Sequence, residues 1–316
     1  MMAALHRLLV RAPFAVAVPL AGRRYGVTGV APGSIGYATA RALAAWGAAV
    51  TVSTRRDTAA VVARLAGELR AAGLPAQVDG HPLDLADAGS VARYAQAVVD
   101  GGGLDGLVNN AGIHLDLMSD WKAPNLTADG HEIHWRTNYL GTMQLTQALW
   151  PALRAAAAQR GEARIVNVVS MLHARGNNAE LFRPQAKYSS WVAYGLSKLA
   201  LVHATFEMQR RYAAGERIQA YCLHPGAVST NIAARGFAGY RGIELLRRVL
   251  SPVEALFLLT PDEGAQTSLL CATQPGLAGG RYFRACQPAE PSTDAHDAAV
   301  AARLWDETQA ALRKLA

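Results

Sequence analysis

The chain has 316 residues, is 51% hydrophobic and carries a formal net charge of +7. That is enough apolar content for a substantial core, and there is no repeat of solenoid length or low-complexity run beyond an alanine bias such as Ala155–Ala158. Its arginines are scattered and lack the interleaved aromatics of nucleic-acid readers, so the basic balance points to a small polyanion and a solvated surface instead.

Residues 1–23 hold Arg and His but no acidic side chain, and Pro13, Pro19 and Arg11 interrupt the apolar stretch Phe14–Ala21. The run is far shorter than the ~20 residues of a membrane span. It reads as a lead-in segment; peripheral membrane association or an organelle transit role stays open. Cys222, Cys271 and Cys286 are odd in number and widely spaced, which argues against a disulfide framework or zinc site. A reducing, cytoplasmic setting is the expectation.

From residue 24 onward, strand-like and helix-like segments alternate. Strands are expected at Tyr25–Thr28, Ala49–Thr54, Ala76–Leu83, Leu104–Asn109, Arg164–Val169 and Ile218–Leu223, with a short one at Gly280–Phe283. Helices are expected at Ile35–Trp46, Asp57–Ala72, Ser90–Val99, Trp191–Tyr212, Pro261–Ala272 and Ala298–Leu315. A long helix running from a Thr127 cap to about Ala158 completes the set. This alternation specifies an α/β fold, a doubly wound parallel sheet with helices on both faces, in one domain over 24–316.

Thr28–Gly36 (TGVAPGSIG) joins the first strand to the first helix. Its Gly29, Gly33 and Gly36 let the backbone approach a pyrophosphate seated on the helix N-terminus. Ser34 and Ile35 both separate Gly33 from Gly36, so Gly33, Ser34 or Ile35 could present the phosphate-facing amide. The second strand ends in Arg55-Arg56, with no carboxylate before them to hold a ribose 2′-hydroxyl. Two guanidiniums suit a 2′-phosphate, which favours NADPH over NADH. Asp84-Leu85 could hold the adenine end, or Asp84 could cap the next helix.

Tyr194 and Lys198, in Trp191–Ala200 (WVAYGLSKLA), lie four apart and share one helix face. Only four lysines occur in the chain, and Lys198 alone follows a tyrosine at this spacing. Its ammonium is expected to lower the phenol pKa and fit Tyr194 for proton transfer to and from an alcohol oxygen.

In order, the glycine loop, Asp84, Asn109-Asn110-Ala111-Gly112, Asn138, Ser170, Tyr194 with Lys198, and Pro225–Thr230 (PGAVST) resemble the short-chain dehydrogenase/reductase family across about Tyr25 to Phe283. Leu126–Gly130 (LTADG), Thr137–Gly141 (TNYLG), Ser197–Ala200 (SKLA) and the long gap between Ser170 and Tyr194 are similar to its retinol dehydrogenase and WW-domain oxidoreductase branch. The family's one-residue spacing between the last two loop glycines is lengthened here by one.

The resemblance implies a Rossmann-type fold and four roles. Tyr194 is the general acid or base. Lys198 tunes it and holds the nicotinamide ribose. Ser170 polarises the carbonyl, and Asn138 bends its helix and places a water toward Lys198. Asn110, Ala111 and Gly112 would line the adenine ribose, while Pro225, Gly226, Val228 and Thr230 would cover the nicotinamide.

The expected activity is hydride transfer between NADPH and an apolar ketone, aldehyde or alcohol. Alternatives are a non-catalytic NADPH-binding redox sensor and an enoyl reductase on the same scaffold. The expected partner is a small molecule, with a homodimer or homotetramer compatible with the sequence. Met171, Leu172, Leu181, Phe182, Tyr188 and Trp191, with Phe237, Tyr240, Leu245 and Leu246, either line an apolar substrate pocket or belong to the core or an oligomer contact. His131 and His134 are three apart with no third ligand nearby, so no metal is expected.

Overall fold

The computed structural model describes residues 6, 10, 12–228 and 257–315. Strands β1 (Arg24–Thr28), β2 (Ala49–Thr54), β3 (Val78–Pro82), β4 (Gly106–Asn109), β5 (Ala163–Val168), β6 (Ile218–His224), β7 (Arg281–Arg284) and β8 (Gln287–Ala289) form one eight-stranded sheet. Its order is β3-β2-β1-β4-β5-β6-β7-β8. All neighbours are parallel except the closing β7–β8 hairpin. The order reverses between β1 and β4, the switch point where a doubly wound sheet opens a crevice beyond its strand ends.

Strands β1, β2, β4, β5 and β6 are almost wholly buried on both faces, which explains their near-continuous Val, Ile and Leu content. Two apolar clusters cover the sheet. One gathers α1 (Ile35–Ala45), α2 (Thr58–Ala71) and α7 (Pro261–Thr273) through side chains such as Leu43, Leu65 and Leu269. The other gathers α3 (Ala88–Asp100), α4 (Gly141–Ala148), α5 (Trp150–Arg160), α6 (Ser190–Glu216) and α8 (Ala298–Leu315) around Leu107, Leu145 and Leu199.

The expected long helix from Thr127 is broken in three ways. Thr127 sits in a turn, its hydroxyl donating to Asp129 and to the His131 carbonyl, and Leu126 bridges Glu132 in antiparallel fashion. Helical backbone begins at residue 133, widens into a π-helical stretch at Trp135–Leu140, and is interrupted again at Leu149 ahead of Pro151. The proline at the second position of α5 cannot donate to the preceding turn, so a new helix starts there.

Residues 12–23 lie along the domain rather than away from it. The Ala15 amide donates to Gln266 on α7 at 3.0 Å, and His6 contacts Glu263 at 2.9 Å. Among the described residues no helix is long and apolar enough to cross a membrane. The three cysteines are buried and free.

Candidate active site

The crevice at the switch point holds a cavity of about 830 Å³, running from Arg55 and Arg56 past the glycine loop to Gly112 and Ile113. Two glycines of the loop adopt left-handed backbone, Gly29 at φ 73° and Gly33 at φ 75°. A Cβ on Gly29 would lie 2.8 Å from the Ala111 backbone, and one on Gly36 would overlap Asn110 and the Gly29 carbonyl. The loop and the Asn110–Gly112 turn therefore press directly against each other.

Thr28 ties them together, its hydroxyl accepting from the Asn110 and Ala111 amides at 3.0 Å, while Asn110 Nδ2 donates to the Thr28 carbonyl at 2.8 Å. The side chain of Asn110 is thus committed to the loop.

The extra loop residue resolves simply. Ser34 is the N-cap of α1: its Oγ accepts from the Tyr37 amide at 3.1 Å and donates to the Gly29 carbonyl at 3.2 Å. Its own amide donates back to Ala31 at 3.0 Å. Of the residues expected to present an amide to phosphate, Ser34 is the one whose N–H is engaged inside the loop. The first-turn amides of Ile35 and Gly36 remain at the positive end of α1.

Arg55 and Arg56 are exposed at the far wall and pair with no carboxylate among the described residues. Asp84 and Leu85 also line the cavity. Asp84 does not cap the following helix. It accepts from the Ala86 amide at 2.9 Å, and the cap of α3 is Asp87, which accepts from the Gly89 and Ser90 amides. The Leu85 carbonyl accepts from Arg136 Nη1 at 2.6 Å. Arg136 is fully buried, and its Nε donates to Asp129 at 2.6 Å.

Beyond Gly112 lie the four residues expected to carry the chemistry, drawn from three elements. Asn138 occupies the π-helical stretch, and its Oδ1 accepts from the Ile113 amide at 2.8 Å. Its Nδ2 donates to the Ile113 carbonyl and to Ser197 Oγ, so no amide hydrogen is left for a water. Lys198 Nζ donates to the Val168 carbonyl at 3.0 Å. A Cβ on Gly112 would sit 3.3 Å from both this Nζ and Asn138 Oδ1, so the missing side chain keeps the space between them open. Ser170 follows β5, with Oγ accepting from the Leu172 amide at 3.2 Å, and its side chain acts to lower the Tyr194 phenol pKa.

Tyr194 overturns one expectation. Its phenol is pushed up to about 12, because burial outweighs the lowering hydrogen bond from Ser170. Burial also pulls the Lys198 ammonium down to about 8. The Lys198 nitrogen stands 5.8 Å from the Tyr194 ring centre. The cost of taking the phenolate out of water dominates, and burial sets the direction of the shift. The tyrosine is therefore a protonated phenol at neutral pH, a donor rather than a preformed base.

One side chain at the site is not singled out by the sequence. His114 stacks on Tyr194, with ring centres 4.1 Å apart and planes 11° from parallel, and meets Trp191 edge-on at 4.7 Å. It is buried, its Nε2 has no hydrogen-bond partner among the described residues, and burial holds its pKa down to about 3. The only hint in the sequence is its place two residues after Gly112, in the turn that follows β4.

His134, by contrast, has both ring nitrogens occupied. Nε2 accepts from the Leu115 amide at 2.9 Å and Nδ1 donates to Glu132 at 2.7 Å. Glu132 also accepts from Tyr188 at 3.0 Å.

The expected apolar lining divides. Leu181 is buried in the core and Phe182 packs against that core and under Arg303, so neither faces the site as a free wall. Met171 is 54% exposed beside Ser170, and Trp191 donates to the Leu117 carbonyl at 3.1 Å. After β6, Gly226 has φ 93° and Val228 bridges Leu259 while packing toward Gly264 of α7. Thr230, Phe237, Tyr240, Leu245 and Leu246 lie outside the described residues.

The fold and the grouped Ser, Tyr, Lys and Asn define a dinucleotide-dependent dehydrogenase. Residues 25–240 match the short chain dehydrogenase family model. Human retinol dehydrogenase 12 is 36% identical over 293 residues, covering 92% of this chain and 86% of that protein. The Arabidopsis thaliana dehydrogenase/reductase SDR family member FEY is 31% identical over 304 residues, covering 89% and 76%. The Pseudomonas aeruginosa RhlG/NADP active-site complex superposes with a TM-score of 0.62 at 27% identity, covering 84% of this chain and 96% of that one. The chain belongs to the short-chain dehydrogenase/reductase family, in its retinol dehydrogenase-like branch. It is an NAD(P)H-dependent oxidoreductase acting on CH–OH and C=O groups.

Proposed function

We propose that this protein is an NADPH-dependent carbonyl reductase, reversible as an alcohol dehydrogenase, acting on an apolar ketone, aldehyde or alcohol. The observation that carries the reading is a buried Tyr194 with the Lys198 nitrogen 5.8 Å from its ring centre, that nitrogen standing against Gly112, which lines the glycine-walled cavity.

The cavity fits an elongated phosphate-bearing cofactor on two counts. Side chains at Gly29 and Gly36 would close the space against Ala111 and Asn110. The wall also offers the guanidiniums of Arg55 and Arg56, without a carboxylate partner among the described residues, which suit a 2′-phosphate. Gly33, Ile35 and Gly36 would hold the pyrophosphate, Asp84, Leu85, Asn110, Ala111 and Gly112 the adenosine, and Lys198, Pro225, Gly226 and Val228 the nicotinamide end. When bound, this cofactor supplies or accepts a hydride at nicotinamide C4.

The chain's own groups manage the oxygen. Ser170 donates a hydrogen bond that polarises a substrate carbonyl, and Tyr194 gives its proton to that oxygen as charge develops on it. A phenol protonated at neutral pH is ready to act as the acid in reduction, and the phenolate it leaves is the base for the reverse reaction. Lys198, still cationic below its depressed pKa of about 8, offsets the phenolate left behind. Burial of the whole group excludes water and raises the value of each of these contacts. Met171, Trp191 and the His114 ring give the approach to Tyr194 an apolar and aromatic character, which suits a substrate with little polarity away from its oxygen.

The test is NADPH oxidation with a panel of aldehydes, ketones and enones. Turnover of aldehydes or ketones is expected, and it should be lost in Tyr194→Phe. Carbon–carbon double-bond reduction that survives this substitution would replace the proposal with an enoyl reductase.

A further inference from the structure

Behind Ser170 lies a buried polar layer that takes no part in proton transfer. His173, 4% exposed, belongs to the short 3-10 turn Met171–Arg175 that Ser170 caps. Its Nδ1 lies 2.6 Å from the Ser170 carbonyl and its Nε2 2.9 Å from the Ser292 amide. A carbonyl only accepts and an amide N–H only donates, so the ring is the neutral Nδ1–H tautomer.

The same C-terminal stretch also grips the other end of this loop. The Asn178 amide donates to Asp294 Oδ2 and Asn178 Nδ2 to the Asp294 carbonyl, both at 2.9 Å. Asn178 Oδ1 accepts from the buried His203 at 2.8 Å. Residues 292–294 thus hold the segment leaving Ser170 at two points, although more than a hundred positions separate them in the chain.

We propose that His173 is a positioning residue, which locks the Ser170 backbone to the Ser292 amide and so sets the aim of the Ser170 hydroxyl at Tyr194. Ser170 has extended backbone, φ −155° and ψ 155°, with Oγ already accepting from Leu172. The direction of its O–H therefore depends on where the main chain is held, and the imidazole is the link that crosses from that carbonyl to another part of the fold. This inference rests on the assignment of Ser170 and Tyr194 to carbonyl reduction.

Ser292→Pro removes the key donor, and its ring Cδ takes the place of the N–H that points at His173 Nε2 from 2.9 Å, so the imidazole is displaced from this anchor as well. Ser292 has φ −61°, within the range proline imposes, it follows Pro291, and its hydroxyl has no partner. The expected result is a ~10-fold fall in kcat, the scale of one misaimed hydrogen bond, with KM and NADPH affinity unchanged. His173→Ala should fall at least as far, and His173→Asn, whose amide can still donate to the Ser170 carbonyl, should recover most of the loss.

In a Ser170→Ala background neither Ser292→Pro nor His173→Ala should lower kcat further, since the group they act through is gone. Nitrogen chemical shifts should report the Nδ1–H tautomer in the parent protein. The His173 titration should move up in Ser292→Pro, because protonation no longer sacrifices an acceptor. Equal losses with and without Ser170, or no recovery in His173→Asn, would overturn the proposal. Failure of the reductase assignment shows differently, as turnover in Tyr194→Phe equal to the parent, and leaves the chemical-shift readout intact. Should His173→Ala not fold, Ser292→Pro and His173→Asn decide the matter alone.

Discussion

The two ends of the crevice are built by different means. The dinucleotide end is backbone against backbone: left-handed glycines, a threonine hydroxyl bridging two turns, and a helix terminus facing the cavity. The end around Tyr194 is made of side chains held neutral by burial, Tyr194, His114 and His173 among them, fastened by contacts from distant parts of the chain. The first arrangement tolerates no added atoms. The second tolerates shape changes but not a misplaced proton. Substitutions at the two ends should therefore fail in different ways.

The sharpest probe is Tyr194→Phe, which keeps the ring and its stacking on His114 but removes the transferable proton. Loss of ~10²–10⁴-fold in kcat is expected, with cofactor affinity unchanged, in steady-state assays and fluorescence titration of NADPH. A change in affinity instead would show that the two ends are not separable. Next in size, Arg55→Ala with Arg56→Ala should weaken NADPH by ~1.5–3 kcal/mol per charge-assisted bond lost and leave NADH binding unchanged, read by calorimetry. Tighter binding of NADH than NADPH by the parent protein would end the 2′-phosphate argument.

Gly36→Ala tests the packed end from within. Its methyl would overlap Asn110 and the Gly29 carbonyl, and destabilisation of ~1–3 kcal/mol is expected in chemical denaturation even without cofactor. Unchanged stability would mean that the loop yields, contrary to a backbone-built site.

At neutral pH the smallest effect concerns protons, and it grows only as the solution is acidified. Burial depresses His114 to about 3, well below the value near ~6.5 of an unfolded histidine. The unfolded chain thus takes up a proton that the folded chain refuses. Stability is complete above about pH 6.5 and is lost as pH falls toward the folded value, at on the order of 1.4 kcal/mol per pH unit for each such group. His114→Phe should flatten that acid slope between about pH 6 and 4, where this histidine's two states differ in charge. An unaltered slope would place the proton uptake on other buried histidines.

The same contrast explains what was legible in the sequence. The glycine loop, Arg55-Arg56 and the strand ends are local: each is a short run whose residue types suit one backbone path, and β2 and α8 fall within the expected bounds. The Tyr194–Lys198 spacing is local too, and it correctly places both side chains together. Its consequence for pKa was not legible, because the burial that dominates comes from Ser170, His114 and the core, far apart in the chain. The turn at Thr127 and the π-helical stretch also escaped a periodicity argument, since apolar spacing does not register a single inserted residue. His173 and Ser292 meet only once β7, β8 and the segment after them have packed beside β6.

Arg136 leaves a consequence for engineering. One guanidinium spans the Asp129 turn, the carbonyl of the cavity-lining Leu85, and Gln144 on α4. Its planar fork satisfies three directions at once, which a lysine ammonium on a flexible stem cannot reproduce. Anyone grafting a new nucleotide preference onto this scaffold would do well to treat that arginine as a fixed keystone and to redesign around it, since loosening it would slacken two loops and a helix together.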